Sequence, residues 1–168
     1  LGPLDRFIFG EWLPQSTQPI DLIGASIGAW RMATACLDNP VEALHRLEHD
    51  YIHQEYEVPP GRKRPTPEHV SQRFGENLRT FYGGRVQEVL SHPRYRLHVV
   101  TSRGRHMLGR EHKIFTPLGY AGAFLSNALS RKSMGAWLER VVFSAQGAAL
   151  PFNDQAYRTR HAPVTEDN

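Results

Sequence analysis

Five consecutive residues, Gly24-Ala25-Ser26-Ile27-Gly28, have the composition and spacing of a nucleophile elbow. The apolar run Ile20, Leu22, Ile23 precedes them and a helix-forming stretch follows. In such a turn a serine is held in a strained backbone conformation, with its hydroxyl projecting above the sheet. Glycines two before and two after it remove the side chains that would collide as strand and helix close on each other. The first N–H groups of the helix lack partners and lie at its positive end, so they can stabilise an oxyanion. Ser26 is therefore the candidate nucleophile of an acyl transfer. Gly24 and Gly28 are the elbow glycines, and the amide of Ile27 is the oxyanion donor. The plainer role for these residues is a pair of turn glycines around Ser26 as a helix N-cap. Arg31, on the same helix, is a weaker candidate for holding an anionic headgroup; the simpler alternative is an exposed surface arginine.

Three other constellations compete. His45-Arg46-Leu47-Glu48-His49 matches the H-x-x-E-H pattern of a zinc hydrolase, in which two histidines a helical turn apart bind the ion and the glutamate is the base. His53 extends the row. On a helical wheel, however, Val41, Leu44, Leu47, Tyr51 and Ile52 face the core, the histidines drift toward solvent, and no third ligand is identifiable by spacing. The expectation is no metal and no other cofactor. A Ser-His-Asp triad needs an acid and then a histidine after Ser26. Asp154 and His161 come in that order, but they read more simply as surface loop and edge strand. Gly61-Arg62-Lys63-Arg64 is basic yet lacks interleaved aromatics, so it reads as a soluble loop and not a nucleic-acid site. Cys36, between Ala35 and Leu37, reads as a small core residue.

The elements that must position these residues follow from pattern and punctuation. A helix over 3–13 has Pro3 in its first turn and Leu4, Phe7, Ile8 and Trp12 near one face. A strand covers 20–25 and a helix 27–37. A second helix runs from 40 to about 56, with Asn39 as N-cap, Pro40 as first residue and Glu42 at capping-box spacing. Residues 57–67 form a Pro-rich basic loop. Thr66 and Pro67 open another helix, with Val70, Phe74, Leu78 and Phe81 on one face and Gly83-Gly84 as its stop. Then come a short helical piece, a strand over 95–102, helical stretches over 117–130 and 133–138, and a strand over 139–145. A last strand over 158–165 belongs at a sheet edge because of Pro163. Residues 117–129 are apolar on nearly every side, which reads as a buried helix or as the wall or lid of an acyl-chain pocket. Strands separated by helical segments indicate an α/β layered fold with a largely parallel sheet.

The helix "GPLDRFIFGEWL", the strand "PIDLIGAS" and the helix "IGAWRMATAC" resemble a bacterial patatin-like phospholipase. The similarity extends to "HPRYRLHVVTSRGR" and "TPLGYAGAFLSNALSRK", and its specific part is the Gly-Ala-Ser-Ile-Gly elbow. The resemblance implies a three-layer patatin-like fold and a lipid acyl hydrolase with a Ser–Asp dyad and no catalytic histidine. Ser26 would then attack the ester of a lipid. Two family elements are not found. Gly2-Pro3 is not the glycine-rich oxyanion loop that precedes the first helix, and Gly83-Gly84 lies on the wrong side of Ser26. None of Asp5, Asp21, Asp38, Asp50, Asp154 or Asp167 is followed by glycine, as the family's catalytic aspartate is. The expectation is a partial domain over 1–168 whose dyad aspartate lies beyond Asn168 and which by itself hydrolyses esters barely, if at all. The alternative is a non-catalytic lipid- or partner-binding module of the same fold.

Composition bounds these readings. The chain is long enough to bury a core as one domain, and 40% hydrophobic with 22% charged residues suits a soluble globular protein. Twenty basic against 17 acidic residues leave +3, too mild to argue for nucleic acid but compatible with an anionic surface. The expected partners are a lipid or other carboxylic ester and a membrane surface. A lone cysteine excludes an internal disulfide and fits a reducing, cytoplasmic compartment. No apolar run reaches the roughly 18 residues that span a bilayer.

Overall fold

Four strands, with β-branched and apolar residues concentrated in the first three, build one sheet. They are β1 (Ile20–Gly24), β2 (Tyr95–Gly104), β3 (Leu138–Ser144) and β4 (Thr159–Pro163), in the order β1-β2-β3-β4. The computed structural model describes residues 2–58, 61, 63–109, 115–145, 150–152 and 157–165, with the backbone alone at 107, 109, 115–117 and 131.

The α/β class read from the sequence is found, with a mixed and mostly parallel sheet. β1 runs parallel to β2 and β3 parallel to β4, but β2 and β3 are antiparallel, from His98↔Ser144 to Gly104↔Leu138. The chain between β2 and β3 is long and helical, yet it returns at the end of the sheet it left and so makes no crossover. β4 is the edge strand that Pro163 called for, with Pro163 as its last residue.

The helices are α1 (Gly2–Phe7), α2 (Ile27–Ala35), α3 (Pro40–Ile52), α4 (Pro67–Tyr82), α5 (Val86–Leu90), α6 (Phe115–Leu129) and α7 (Met134–Trp137). Described residues of 2–19 and 33–94 form one compact unit, and those of 20–32 and 95–165 form another that holds the sheet. The first unit is packed around Phe9, Leu37, Leu44, Leu47, Phe81 and Val89, the second around Leu22, Tyr95, Leu97, Val141 and Val142. Among the described residues no helix is long and apolar enough to cross a membrane.

Of the two expected side-chain N-caps, one forms. Thr66 caps α4, its Oγ1 accepting from the His69 amide at 3.2 Å, and α4 stops at Gly83. Asn39 does not cap α3: its Nδ2 donates to Glu42 Oε2 at 2.8 Å, so the pair bonds to itself and not to the backbone.

The expected core faces of two helices are corrected. α1 is continued by a π turn (Ile8–Trp12) and a short 3₁₀ turn (Leu13–Gln15), and it leaves Leu4, Phe7 and Trp12 exposed. Its buried residues are Asp5 and Phe9, because the face with Gly2, Asp5 and Phe9 is the one that meets α3. A side chain at Gly10 would overlap Val41, so the absence of one sets how closely the two elements approach. On α3 the buried residues are Ala43, Leu44 and Leu47, whereas Val41, Tyr51 and Ile52 are exposed.

Candidate functional site

β1 ends at Gly24, Ala25 follows, Ser26 makes the turn and α2 begins at Ile27. Ser26 has φ 53°, in the left-handed region that non-glycine residues avoid at a cost of about 1–2 kcal/mol. An N-cap residue takes β-region dihedrals and accepts from the helix with its side chain. Ser26 does neither: its side chain makes no hydrogen bond among the described residues, and it is exposed. The backbone turns on Gly28 N–H to Ala25 O at 3.0 Å and Ala29 N–H to Ser26 O at 2.9 Å. The Ile27 amide has no acceptor among the described residues, so it is a donor pointing from the start of α2.

The two glycines are not equivalent. A Cβ at Gly24 would stand 2.6 Å from Ala29 N, Ala29 Cα and Gly28 C, all backbone of the first turn of α2. Strand and helix close on each other at this point, as the elbow requires. A Cβ at Gly28 would meet nothing within 4 Å, so the collision argument applies to Gly24 and not to Gly28.

A second polar cluster, not found by sequence reasoning, crosses three strands of the same unit. His98 is fully buried, its Nε2 3.0 Å from Asp21 Oδ1 and its Nδ1 2.8 Å from Ser144 Oγ. Arg96 NH2 donates to Asp21 Oδ2 at 2.8 Å, while Nε lies 2.8 Å from Oδ1 without its N–H being aimed there. Burial pulls the Asp21 pKa up, but the hydrogen bonds from His98 and Arg96 outweigh it and hold the carboxyl below its ordinary range. An ionised Asp21 only accepts, so Nε2 carries a proton, and Nδ1 shares the second hydrogen bond with the Ser144 hydroxyl. The chain Asp21–His98–Ser144 has the members of a catalytic triad with the exposures reversed. The histidine is sealed, Ser144 ends a regular strand, and the carboxylate reaches solvent. The cluster ties β1 to β2 and β3. Its signal in the sequence was Arg96 and His98, two residues apart on a strand, which puts a histidine that must find partners on the face with Asp21.

The other candidates are not brought together with Ser26. In the H-x-x-E-H row, Glu48 forms an ion pair with Arg6. His53 lies past the end of α3, where its Nδ1 donates to His49 O at 2.8 Å, and the two rings stack at 4.2 Å. Glu48 and His53 are thus engaged as structural groups, and among the described residues no three His, Cys, Asp or Glu side chains are grouped to hold a metal. Asp154 lies outside the described residues. His161 sits on β4, exposed, three strands from β1, which at about 4.8 Å per strand is roughly 14 Å from the elbow. That is too far for it to be the base in a triad with Ser26. Arg31 is half-buried on α2, not the exposed surface arginine of the simpler reading. Cys36 is the buried core residue expected, and burial pushes its thiol up to about 12. In the loop 61–64, Gly61, Lys63 and Arg64 are exposed, and Arg62 lies outside the described residues.

No family model, no curated protein and no solved structure matches this chain.

Proposed function

We propose that Ser26 is the nucleophile of a patatin-like lipid acyl hydrolase. One observation carries the reading: the left-handed backbone of a serine at the joint of β1 and α2, with its hydroxyl exposed and unshared. Residues are kept in such conformations where the strain serves a site.

In this reading Ser26 Oγ attacks the ester carbonyl carbon and passes its proton to a carboxylate base. The oxyanion is held by the Ile27 amide at the positive end of α2. Collapse of the intermediate expels the alcohol, which takes the proton back, and water then cleaves the acyl-serine by the same route. Among the described residues no acid touches Ser26, and Asp21 is already engaged by His98 and Arg96. The resemblance implies an aspartate as the base and a glycine-rich loop as the second oxyanion donor.

The test is turnover of short-chain and phospholipid esters by the full reading frame, beside its Ser26→Ala variant. The expected loss is on the order of 10³-fold or more. Unchanged turnover in Ser26→Ala would remove the nucleophile, and no turnover in either protein would favour a binding module that has kept the fold without the chemistry.

A further inference from the structure

α6 packs with its large residues outward. It contains no charged residue, and the side turned to the rest of its unit is made of Gly119, Gly122, Ala123 and Ser126. These recur at i, i+3, i+4 and i+7, one stripe of the helix. Trp137 holds two of them: its ring lies against Gly122 and its Nε1 donates to Ser126 Oγ at 2.9 Å. The opposite arc carries Leu118, Tyr120, Phe124, Leu125 and Leu129, each more than half exposed, Leu129 at 90%. The buried-helix reading of this stretch is thereby corrected. An apolar face of this extent marks an interaction surface.

Topology and charge say what it meets. β1 and β2 are parallel, so β2 runs toward 105–137 in the direction in which β1 runs toward Ser26, continuing five residues past Val99, the partner of Gly24. Gly104↔Leu138 is the last pair of the antiparallel β2–β3 ladder, so that segment returns to the same end. α6 is therefore rooted on the side of the sheet toward which β1 delivers Ser26. Residues 115–138 include no Asp or Glu, while Arg131 and the exposed Lys132 follow α6 directly and the exposed Arg158 stands just before β4 at this end. Segments 20–32 and 95–168 hold eleven Lys and Arg against six Asp and Glu, a net +5, whereas 1–19 and 33–94 hold nine against eleven. A cationic rim beside an apolar face complements an anionic lipid surface and repels a second copy of itself.

We infer that α6 docks this protein on an anionic lipid surface. Phe124, Leu125 and their neighbours enter the acyl layer, Lys132 and Arg158 meet the phosphates, and the Ser26 end of β1 faces toward the lipid. The consequence for turnover rests on the Ser26 reading; the docking does not.

The experiment is co-sedimentation of the protein, in the Ser26→Ala background, with phosphatidylcholine vesicles and with phosphatidylcholine–phosphatidylglycerol vesicles. Binding to the mixed vesicles should exceed binding to the neutral ones and weaken with salt. Phe124→Ser with Leu125→Ser should lower it about 10-fold or more, and Lys132→Glu should lower binding to the mixed vesicles alone. Both apolar residues are already exposed, so the variant should melt with its parent by circular dichroism. Failure of the parent to bind mixed vesicles, or equal binding by the double variant, would overturn the inference. So would a lipid-free dimer that the double variant turns into monomer, since the face would then belong to a second copy. Binding that persists while Ser26→Ala leaves ester turnover intact would sink the nucleophile alone. Hydrolysis of soluble esters without vesicle binding would sink the docking alone.

Discussion

Alanine at position 24 adds a single methyl group at the tightest point of the elbow. Its Cβ would stand 2.6 Å from three backbone atoms of Gly28 and Ala29. Carbon atoms are in comfortable contact at about 3.5 Å, so nearly 1 Å of separation must be found between β1 and α2. No side chain can swing aside to supply it. Overpacking costs about 1–3 kcal/mol where neighbours can shift, and a clash with backbone places Gly24→Ala near the upper end, about 3 kcal/mol. For a chain of this length that lowers the melting temperature by roughly 6–12 °C. Gly28→Ala makes the contrasting case, because its methyl group enters open space and replaces a helical glycine. It should be neutral or stabilising by about 0.5 kcal/mol. Melting curves of the two variants and the parent, followed by circular dichroism, decide the matter. A Gly24→Ala protein that melts with the parent, or a Gly28→Ala protein that falls as far as Gly24→Ala, would refute the close approach described for the elbow.

Ser26→Gly should be more stable than Ser26→Ala by about 1 kcal/mol in urea denaturation, since only glycine is at ease at φ 53°; equal midpoints would mean that the turn is unstrained. Asp21 has a folded pKa below its ordinary 3.8, so its stabilising contribution is complete above that value and lost as pH falls through the folded pKa. Asp21→Asn should accordingly melt below the parent at neutral pH and converge with it as pH falls below 3.8 through the lowered folded value, and a gap independent of pH would contradict the tie to His98 and Arg96. Cys36, buried and with its thiol pushed up to about 12, should resist iodoacetamide at pH 8 until the protein unfolds, whereas rapid labelling of the native protein would show that the first unit opens.

The features legible in the sequence are those decided within a few residues. The elbow is one: strand, Gly24, Ser26 and helix lie within a dozen positions, and the contact that requires Gly24 is with Gly28 and Ala29. The Thr66 cap, the stop at Gly83 and the edge strand ending in Pro163 are others. Asp21, His98 and Ser144 could not be joined in the same way, because only the register of three strands makes them neighbours. The motif also treats Gly24 and Gly28 alike, although only one of them faces backbone.

The buried faces of helices failed for a further reason, which α1 and α6 share. Counting large apolar residues assumes that these are the ones a helix buries. α1 instead presents Gly2, Asp5 and Phe9 to α3 and leaves Leu4, Phe7 and Trp12 outside. α6 turns Gly119, Gly122, Ala123 and Ser126 inward, because small residues let its backbone approach Trp137 closely. Dispersion falls steeply with distance, so a close backbone can replace the contacts that long side chains would have made. Hydropathy alone therefore cannot separate a buried apolar helix from one that buries its small side and offers its large one. The period of the small residues can. Glycine, glycine, alanine and serine at i, i+3, i+4 and i+7, facing an arc of leucine and aromatic residues, is a pattern a wholly buried helix has no need of, and on α6 it coincides with an apolar face left open.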